Sequence, residues 1–507
     1  MSKADIKSPV AQVADVLIVG GGSAGAVLAR RLSETANRRV LLLEAGAAYD
    51  AWGYPHAVAN SDQLGAATGH DWGYRSEPGF VEHPIGAFRG KVLGGSSAVN
   101  GSVAIRARPQ DFDNWALAGW SYEDVLPAFK KLEHRVGGAD ALHGRNGPLP
   151  VRQLDRDDIT PMQRAFIDAS IANGFQPIDD FDGPDAHGVG PYPMNIVNGV
   201  RVNTGIAYLD NEVRDRSNLE IRGNALVDRV LFDGTKAIGV RLADGEEIRA
   251  GELILSAGAY GSAAILLRSG IGPSADLRAL SIPVVADLPV GQRLKDHPFY
   301  YNAYAAHPDR IGAQSPVIGA KLWTRSKQAK PGDLDLHVTA THLFPHDQSP
   351  TKVGFVLAVA LTRPLSVGRL SLVDRNPETA PRIDLNFLAD PGDRARLLDG
   401  VKIARRIGQT EPLSLLIHSE LAPGIHARTD QEMLDSIKAT LDTYHHPTST
   451  APMGGIGDNG AVVDLQGSVH GVSNLRVVDA SIFPDAISVA TNVTTIAVAE
   501  HIARHYA

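Results

Sequence analysis

Cysteine is absent from the 507 residues of the chain. Its absence excludes disulfides, thiolate zinc sites, iron–sulfur clusters, a catalytic thiol and any prosthetic group tethered through sulfur. Any redox chemistry that the protein performs must therefore come from a bound cofactor.

Long apolar runs and dense basic runs are absent as well. No stretch of about 18 uninterrupted apolar residues occurs, and the N-terminal MSKADIKSPVAQVAD has no apolar core of signal-peptide length. The net charge of −8 gives no field that would attract a polyanion. We therefore expect a cytoplasmic protein that binds neither membranes nor nucleic acid.

The composition that remains is that of a soluble globular protein, with 43% hydrophobic and 21% charged residues. Because 507 residues exceed what a single core accommodates, we expect two large packed units. Such a chain is long enough to enclose a buried site.

Residues 15–44 predict a strand, a glycine-rich turn, a helix and a second strand: DVLIVG, GGSAGAVLARRLSE and VLLLE. Gly20, Gly22 and Gly25 form G-x-G-x-x-G at the turn. These glycines permit the tight turn, the approach of backbone to a pyrophosphate and close helix–strand packing. The helix start, which includes Ser23, offers free N–H groups and the positive end of the helix dipole to phosphates.

Glu44 ends the second strand, where the acid that binds ribose hydroxyls is expected. An acid here argues against a 2′-phosphate and leaves NAD or FAD.

A second interpretation of residues 21–25 is G-x-S-x-G, the nucleophile elbow of a serine hydrolase, with Ser23 as nucleophile. That interpretation leaves Gly20 and the strand VLLLE unexplained.

Further apolar strands are predicted at residues 218–221, 225–232, 238–242, 252–256 and 475–479. Because they are scattered, the nucleotide domain is expected to be assembled from separate segments. Residues 299–390 contain the alternating segments KLWTR, DLHVTATHLF, GFVLAVALT and GRLSLVD, which predict an antiparallel sheet in a second, substrate-covering domain. Helices are predicted at residues 393–409, 430–443 and 494–506.

From Gly90 the sequence GKVLGGSSAVNGSVAIRARPQDFDNWA resembles the glucose–methanol–choline (GMC) oxidoreductases. The segments HDWGYRSEP, AGAYGSAAILLRSGIGP, DTYHHPTSTAPMGG and LRVVDASIFPDAISVATNVTTIAVAE resemble the same family, in the same order. The resemblance implies an α/β protein, α+β overall, in which a Rossmann-like FAD-binding domain accompanies a substrate domain built on an antiparallel sheet covered by helices. It also implies oxidation of a CH–OH group.

The domain boundaries follow from the positions of these segments. We expect a discontinuous FAD-binding domain of residues 12–155, 195–298 and 455–507. The substrate-binding domain is expected to comprise residues 156–194 and 299–454.

A loop at Gly94, Gly95 and Ser96 has backbone N–H groups and a hydroxyl that could bind pyrophosphate or the flavin edge, or it is a flexible turn. Asp479 is similar to the family's acid near the FAD ribityl and phosphate region. Further FAD contacts are predicted at Ala45, Trp72, Asn100, Val227, Ala480 and Asn492. Val99 occupies the position of the histidine that tethers FAD in some family members, so the cofactor should be noncovalent.

Alcohol oxidation by a flavin needs a base for the hydroxyl proton while hydride passes to flavin N5, and histidine suits that task. The family motif places its catalytic histidine directly before a proline, which is His446 here; the residues alone do not separate it from His445. Adjacent histidines in an extended stretch point to opposite sides, so His445 is expected to face away and no metal site is predicted. The family's second active-site residue corresponds to Asn492, which could orient the substrate oxygen, cap a helix, or do both.

The sequence therefore predicts FAD-dependent oxidation of a primary alcohol to the aldehyde, with O2 or another acceptor reoxidising the flavin. A choline-type alcohol dehydrogenase is the alternative; a serine hydrolase and a noncatalytic flavin-binding protein are remote ones. Aromatic, furanic and pyridoxine-like alcohols are compatible with the aromatic residues of the second domain, which are also ordinary core material. These residues are Tyr300, Tyr301, Tyr304, Trp323 and Phe344.

Overall fold

A computed structural model of the protein describes residues 14–455 and 457–506. Residues 1–13 lie outside the described residues. They include most of the N-terminal segment in which no signal peptide was expected, and also residues 12 and 13 of the predicted FAD-binding domain.

The strands of the described residues fall at positions distributed along the whole chain. In chain order they are Ala14–Val19 (β1), Val40–Leu43 (β2), Glu133–Val136 (β3), Leu149–Gln153 (β4), Gly188–Pro191 (β5), Pro193–Met194 (β6), Ile196–Val197 (β7), Val200–Arg201 (β8), Leu219–Arg222 (β9), Val227–Asp233 (β10), Lys236–Leu242 (β11), Glu247–Leu255 (β12), Pro298–Ala306 (β13), Ile318–Thr324 (β14), Leu336–Thr341 (β15), Gly354–Leu361 (β16), Arg369–Ser371 (β17), Arg382–Asp384 (β18), Ile417–Ala422 (β19), Asp442–Thr443 (β20) and Leu475–Val477 (β21).

The α-helices lie between these strands and at the end of the described chain. They are Ser23–Leu32 (α1), His56–Ala59 (α2), Pro109–Trp115 (α3), Tyr122–Leu132 (α4), Pro161–Ala172 (α5), Thr204–Ala207 (α6), Asn211–Arg214 (α7), Gly258–Arg268 (α8), Ser274–Ala279 (α9), Pro391–Gly408 (α10), Asp430–Thr440 (α11) and Thr491–Ala503 (α12). Of the helices in residues 14–455 and 457–506, none is both long enough and apolar enough to cross a lipid bilayer.

The first large sheet has the strand order β10-β11-β12-β1-β2-β9, and β21 also pairs with β12. The strands β21, β12, β1, β2 and β9 run parallel, while β10 and β11 extend the sheet antiparallel. The central strands are continuous apolar runs, which is typical of parallel strands covered on both faces. Helix α1 follows β1 directly and packs against α12, so the β1–α1–β2 unit forms as the sequence predicts.

The second large sheet is antiparallel, with the order β19-β13-β16-β15-β14-β5 and β20 paired to β13. Helix α10 lies against β15 and β16, and α5 against β14. A Cβ on Gly400 of α10 would come within 2.6 Å of the Val359 side chain, so glycine permits the close helix–sheet approach. The combination of a Rossmann-like sheet with a helix-covered antiparallel sheet confirms the predicted fold class, whereas the domain boundaries stay a prediction.

Three local expectations were wrong. The segment GRLSLVD does not join the large antiparallel sheet, because Arg369–Ser371 pairs only with Arg382–Asp384 in a two-stranded sheet; alternation shows that a strand forms but not which partner it takes. The helix predicted over residues 430–443 ends at Thr440, since Asp442–Thr443 pairs with β13. Asn492 is not an N-cap, because Ala490 holds that position and Asn492 lies within the first turn of α12.

Candidate active site

A cavity of about 720 Å³ lies between the carboxyl ends of β1 and β2 and one face of the antiparallel sheet. Ligands of open α/β sheets bind at this edge, outside the carboxyl ends of parallel strands. Most of the residues predicted to bind cofactor or substrate line the cavity: Gly20, Gly22, Ser23, Glu44, Ala45, Trp72, Gly95, Ser96, Asn100, Val227, His446, Asp479, Ala480 and Asn492. Gly25 and Gly94 are not among the lining residues.

The glycine-rich turn brings backbone close to the cavity at two positions. Gly20 has φ 97°, and a Cβ there would lie 2.5 Å from the carbonyl oxygen of Ser256. A Cβ on Gly25 would lie 1.9 Å from the Gly20 carbonyl oxygen, so Gly25 acts through helix–strand packing. Helix α1 begins after Gly22 without a side-chain cap, and its first N–H groups therefore remain available for a phosphate.

Glu44 is held in the cavity wall by backbone donors on both of its oxygens. Oε2 accepts from the N–H of Gly21 at 2.9 Å, and Oε1 accepts from the N–H of Gly46 at 2.8 Å. Burial raises the pKa of Glu44 to about 7, although those two N–H groups oppose the rise. The carboxyl group is thus fixed in position and keeps lone pairs for a hydroxyl donor.

In the loop predicted at Gly94, Gly95 and Ser96, the protein itself engages two of the backbone N–H groups that the sequence suggested for a ligand. The N–H of Gly94 donates to the Gly21 carbonyl at 2.8 Å, and that of Gly95 donates to the Val92 carbonyl at 2.7 Å. A Cβ on Gly95 would instead lie 2.7 Å from Cα of Gly22. Gly95 therefore lets the two glycine-rich turns meet, while Ser96 keeps its hydroxyl at the cavity wall.

Asp479 is saturated by protein donors, although it borders the cavity. Oδ1 accepts from the N–H and hydroxyl of Ser481, and Oδ2 accepts from the N–H of Gly258 at 2.8 Å and the hydroxyl of Ser262 at 2.6 Å. Asp479 also caps the short 3-10 helix Ala480–Ile482. Its carboxylate joins the start of α8 to the segment after β21, so it shapes the cavity wall through both.

His446 is half-buried in the cavity wall, at the meeting point of the two sheets. Its backbone N–H donates to Oδ1 of Asp296 at 2.7 Å, and its Nδ1 lies 3.1 Å from Nδ1 of His297. Burial lowers the pKa of His446 well below its usual value, and the neighbouring His297 and Arg89 lower it further. The imidazole is therefore neutral and can accept a proton.

The expectation that His445 faces away assumed an extended backbone, which does not form. The φ of His445 is 64°, in the left-handed region, and both histidines are among the residues that line the cavity. An Arg89 guanidinium N–H donates to the His445 carbonyl, and the ring packs at 5.1 Å against Phe88. Burial lowers the pKa of His445 to about 3.

Asn492 meets the glycine-rich turn across the cavity. Ser23 donates its hydroxyl proton to Oδ1 of Asn492 at 2.7 Å. The amide oxygen is thereby engaged, and within the described chain Nδ2 of Asn492 has no hydrogen-bond partner, so its N–H groups remain available for a ligand. Because the Ser23 hydroxyl is paired with an amide and not with a histidine, the serine-hydrolase interpretation lacks its base.

Aromatic side chains line the part of the cavity beside His446. Phe299 and Tyr444 are stacked with centroids 4.2 Å apart, and Tyr444 lies 4.4 Å from the His446 ring. Tyr301 donates to Oδ2 of Asp442 at 3.1 Å. Of the five aromatic residues proposed from the sequence, only Tyr301 is among the lining residues; the others are Tyr300, Tyr304, Trp323 and Phe344.

Several site residues were missed by the sequence reasoning. Phe299 and Tyr301 are two positions apart on β13 and therefore share the cavity face, whereas Tyr300 points to the opposite face and bonds Ser436. The period of two was available in PFYYNAY and would have identified Phe299. Nothing in the sequence connected Asp296 and His297 with His446, because that contact joins segments about 150 positions apart.

Two family models described as GMC oxidoreductase match residues 14–299 and 364–499. The chain belongs to the GMC oxidoreductases. An oxygen-dependent choline dehydrogenase of Ectopseudomonas mendocina is 37% identical to this GMC oxidoreductase over 96% of the chain and 93% of that protein. A mitochondrial choline dehydrogenase of Mus musculus is 36% identical over 96% and 88%. The crystal structure of a pyridoxine 4-oxidase from Mesorbium loti superposes with a TM-score of 0.89 at 32% identity, covering 97% and 99% of the two chains.

This GMC oxidoreductase is an FAD-dependent enzyme that acts on the CH–OH group of alcohols. Its cavity fits such a cofactor: the volume falls within the range of about 300–1,000 Å³ for ligand sites, and the uncapped start of α1 suits a pyrophosphate. Gly258, with φ 79°, lines the cavity wall, and a Cβ there would meet no protein atom within 4 Å. The absence of this Cβ leaves room in the cavity for the cofactor.

Proposed function

We propose that this enzyme oxidises a primary alcohol to the aldehyde, with His446 as the general base and Asn492 as the group that orients the alcohol oxygen. The observation that carries the proposal is the presence of a half-buried imidazole and an available amide in the wall of one cavity. Bound FAD supplies the acceptor for the hydride of the carbinol carbon. Every other part of the reaction falls to the side chains of the protein.

His446 accepts the hydroxyl proton. Its lowered pKa favours the unprotonated ring near neutral pH, which is the form that can accept a proton. The buried Asp296, which accepts from the His446 backbone N–H, provides a negative group near the charge that develops when the ring takes the proton. Burial raises the pKa of Asp296 to about 6, so near neutral pH it is largely ionised.

Asn492 donates to the alcohol oxygen and does not take the proton. Its amide cannot act as a base near neutral pH, but a fixed N–H donor holds the hydroxyl in one direction. Ser23 fixes that direction because it engages the amide oxygen.

We propose that FAD is bound noncovalently. Val99 lines the cavity at the position of the tethering histidine of some relatives, and an aliphatic side chain cannot form the bond. Glu44 would bind the adenosine ribose, the α1 start the pyrophosphate, and Trp72 and Val227 would line the cofactor's part of the cavity. Denaturing the purified holoenzyme should release free FAD; flavin that stays on the polypeptide in a denaturing gel would contradict this part of the proposal.

Two substrate classes are supported by different observations. The stacked Phe299 and Tyr444 beside His446 favour an uncharged aromatic, furanic or pyridoxine-like alcohol. Asp442, which borders the same wall and accepts from Tyr301, favours a choline-type cation. The similarity to choline dehydrogenases and to pyridoxine 4-oxidase is consistent with either class.

The test is to mix the holoenzyme under anaerobic conditions with benzyl alcohol, hydroxymethylfurfural, pyridoxine or choline. Reduction of the flavin is measured as the loss of its absorbance. We expect at least one primary alcohol to bleach the flavin. Parallel peroxide and dye-coupled assays then show whether O2 or another acceptor reoxidises it. Failure of His446→Ala to slow the bleaching would overturn the proposed base.

A further inference from the structure

We infer that His297 is a positioning residue that holds His446 in the one tautomer able to act as a base. The inference rests on the proposed function, because it concerns the proton acceptor named there. Its geometry is a single contact, 3.1 Å between the Nδ1 atoms of the two rings.

A contact between two imidazole nitrogens works only if one carries the proton and the other does not. If His446 donates from Nδ1, its Nε2 keeps a free lone pair and can take the hydroxyl proton. If His297 donates instead, His446 must carry its own proton on Nε2 and has no free nitrogen for the substrate. The direction of this one hydrogen bond therefore decides whether His446 can act as a base.

The surroundings of His297 leave His446 as the partner of its ring. The ring is 1% exposed, and its Nε2 is enclosed without a partner within hydrogen-bond distance in the described chain. Within the described residues, the hydrogen bonding of this ring is thus confined to the contact between its Nδ1 and Nδ1 of His446. Because a base at His446 needs a free Nε2, the proposed function requires the proton of this contact to lie on Nδ1 of His446, with Nδ1 of His297 as the acceptor.

The backbone keeps the two rings in register. Oδ1 of Asp296 accepts from the N–H of both His297 and His446, and Oδ2 accepts from the Thr443 hydroxyl at 2.8 Å. The rings meet nearly edge to face, at 81°. Because one carboxylate ties both backbones, the two residues cannot move apart without breaking a charge-assisted hydrogen bond to Asp296.

Three substitutions separate positioning from packing. His297→Asn keeps an acceptor near the place of Nδ1, His297→Gln has the same amide one carbon farther out, and His297→Leu fills the space without an acceptor. We expect flavin reduction in His297→Asn to stay within about tenfold of wild type, the value of one neutral hydrogen bond. In His297→Gln and His297→Leu we expect a loss of about 10²- to 10⁴-fold, as for a base absent or in the wrong tautomer. Equal rates in the Asn and Gln variants would overturn the inference, even if the Leu variant fails to fold.

Neutron diffraction from crystals of the unmodified holoenzyme gives a readout that does not depend on activity. A deuteron on Nδ1 of His446 and on Nε2 of His297 supports the inference, and a deuteron on Nε2 of a neutral His446 overturns it. The proposed function fails separately: it is wrong if His446→Ala reduces its flavin at the normal rate, whatever the His297 variants show.

Discussion

The hydroxyl of Ser23 lies 2.7 Å from the amide oxygen of Asn492, a residue 469 positions later in the chain. This contact joins the glycine-rich turn of the first β–α–β unit to the first turn of α12. The contact fixes the amide oxygen of Asn492 within the protein and leaves its amide nitrogen to donate to the substrate.

Ser23→Ala should therefore weaken the orientation of Asn492 without removing it. We expect flavin reduction to slow by about tenfold, the equivalent of one hydrogen bond of roughly 1.4 kcal/mol. Asn492→Ala should be slower than Ser23→Ala because it removes the donor itself. Stopped-flow reduction of both variants tests the order; a Ser23→Ala rate below that of Asn492→Ala would show that Ser23 acts in another way.

His446→Ala should lower the rate of flavin reduction by about 10²- to 10⁴-fold, the usual contribution of a general base. FAD should stay bound, because its predicted contacts at Glu44 and the start of α1 are unchanged. Flavin content and the anaerobic reduction rate of the same preparation give both numbers.

His445→Ala is the matched neighbour of that variant. His445 lines the cavity and contacts Phe88, so its removal should change substrate affinity more than the limiting rate of flavin reduction. If flavin reduction is slow in His445→Ala and proceeds at the wild-type rate in His446→Ala, the base is His445 and not His446.

The βαβ unit at residues 14–43 could be predicted because its signals are local. Strand, turn and helix each follow from consecutive residues. Gly25 shows the packing constraint that the motif implies, because a Cβ on Gly25 would lie only 1.9 Å from the carbonyl oxygen of Gly20. The cavity position of His446 followed from a resemblance and not from spacing. Both predictions rest on patterns that a single stretch of sequence contains.

The rest depended on contacts that no local pattern contains. The free N–H groups expected at Gly94 and Gly95 are used by Gly21 and Val92, one of them about 70 positions away. The orientation of His445 depends on a left-handed backbone at a non-glycine residue, which its surroundings impose against its own preference. Tertiary hydrogen bonds decided each of these outcomes.

Glu44→Gln tests the proposed ribose contact. If Glu44 accepts from the ribose hydroxyls, the replacement of one carboxyl oxygen by an NH2 donor should weaken FAD binding by about 1 to 3 kcal/mol, or roughly 5- to 150-fold. Titration of the FAD-free protein with FAD measures the affinity. Asp479→Asn is a useful comparison, because the Asp479 oxygens are already engaged by protein donors; an effect confined to Asp479→Asn would move the ribose contact away from Glu44.

The last prediction concerns pH and a buried charge network away from the cavity. Nδ1 of His143 lies 3.0 Å from Oε1 of Glu133, and Nε2 lies 2.8 Å from Oδ2 of Asp180. Burial alone would lower the pKa of His143, but the hydrogen bonds to Asp180 and Glu133 outweigh it and raise that pKa above 6.5. A raised histidine pKa contributes stability that is fully present below pH 6.5 and is lost as the pH rises through the folded-state pKa.

Thermal unfolding of the holoenzyme at pH 6 and at pH 9 should therefore show a larger loss of Tm in the wild type than in His143→Gln, which cannot be protonated in this range. His134→Gln, a change at an exposed histidine of the neighbouring strand, is the control and should keep the wild-type pH dependence. If Tm falls by the same amount between pH 6 and pH 9 in the wild type and in His143→Gln, the two carboxylates do not hold a proton on His143.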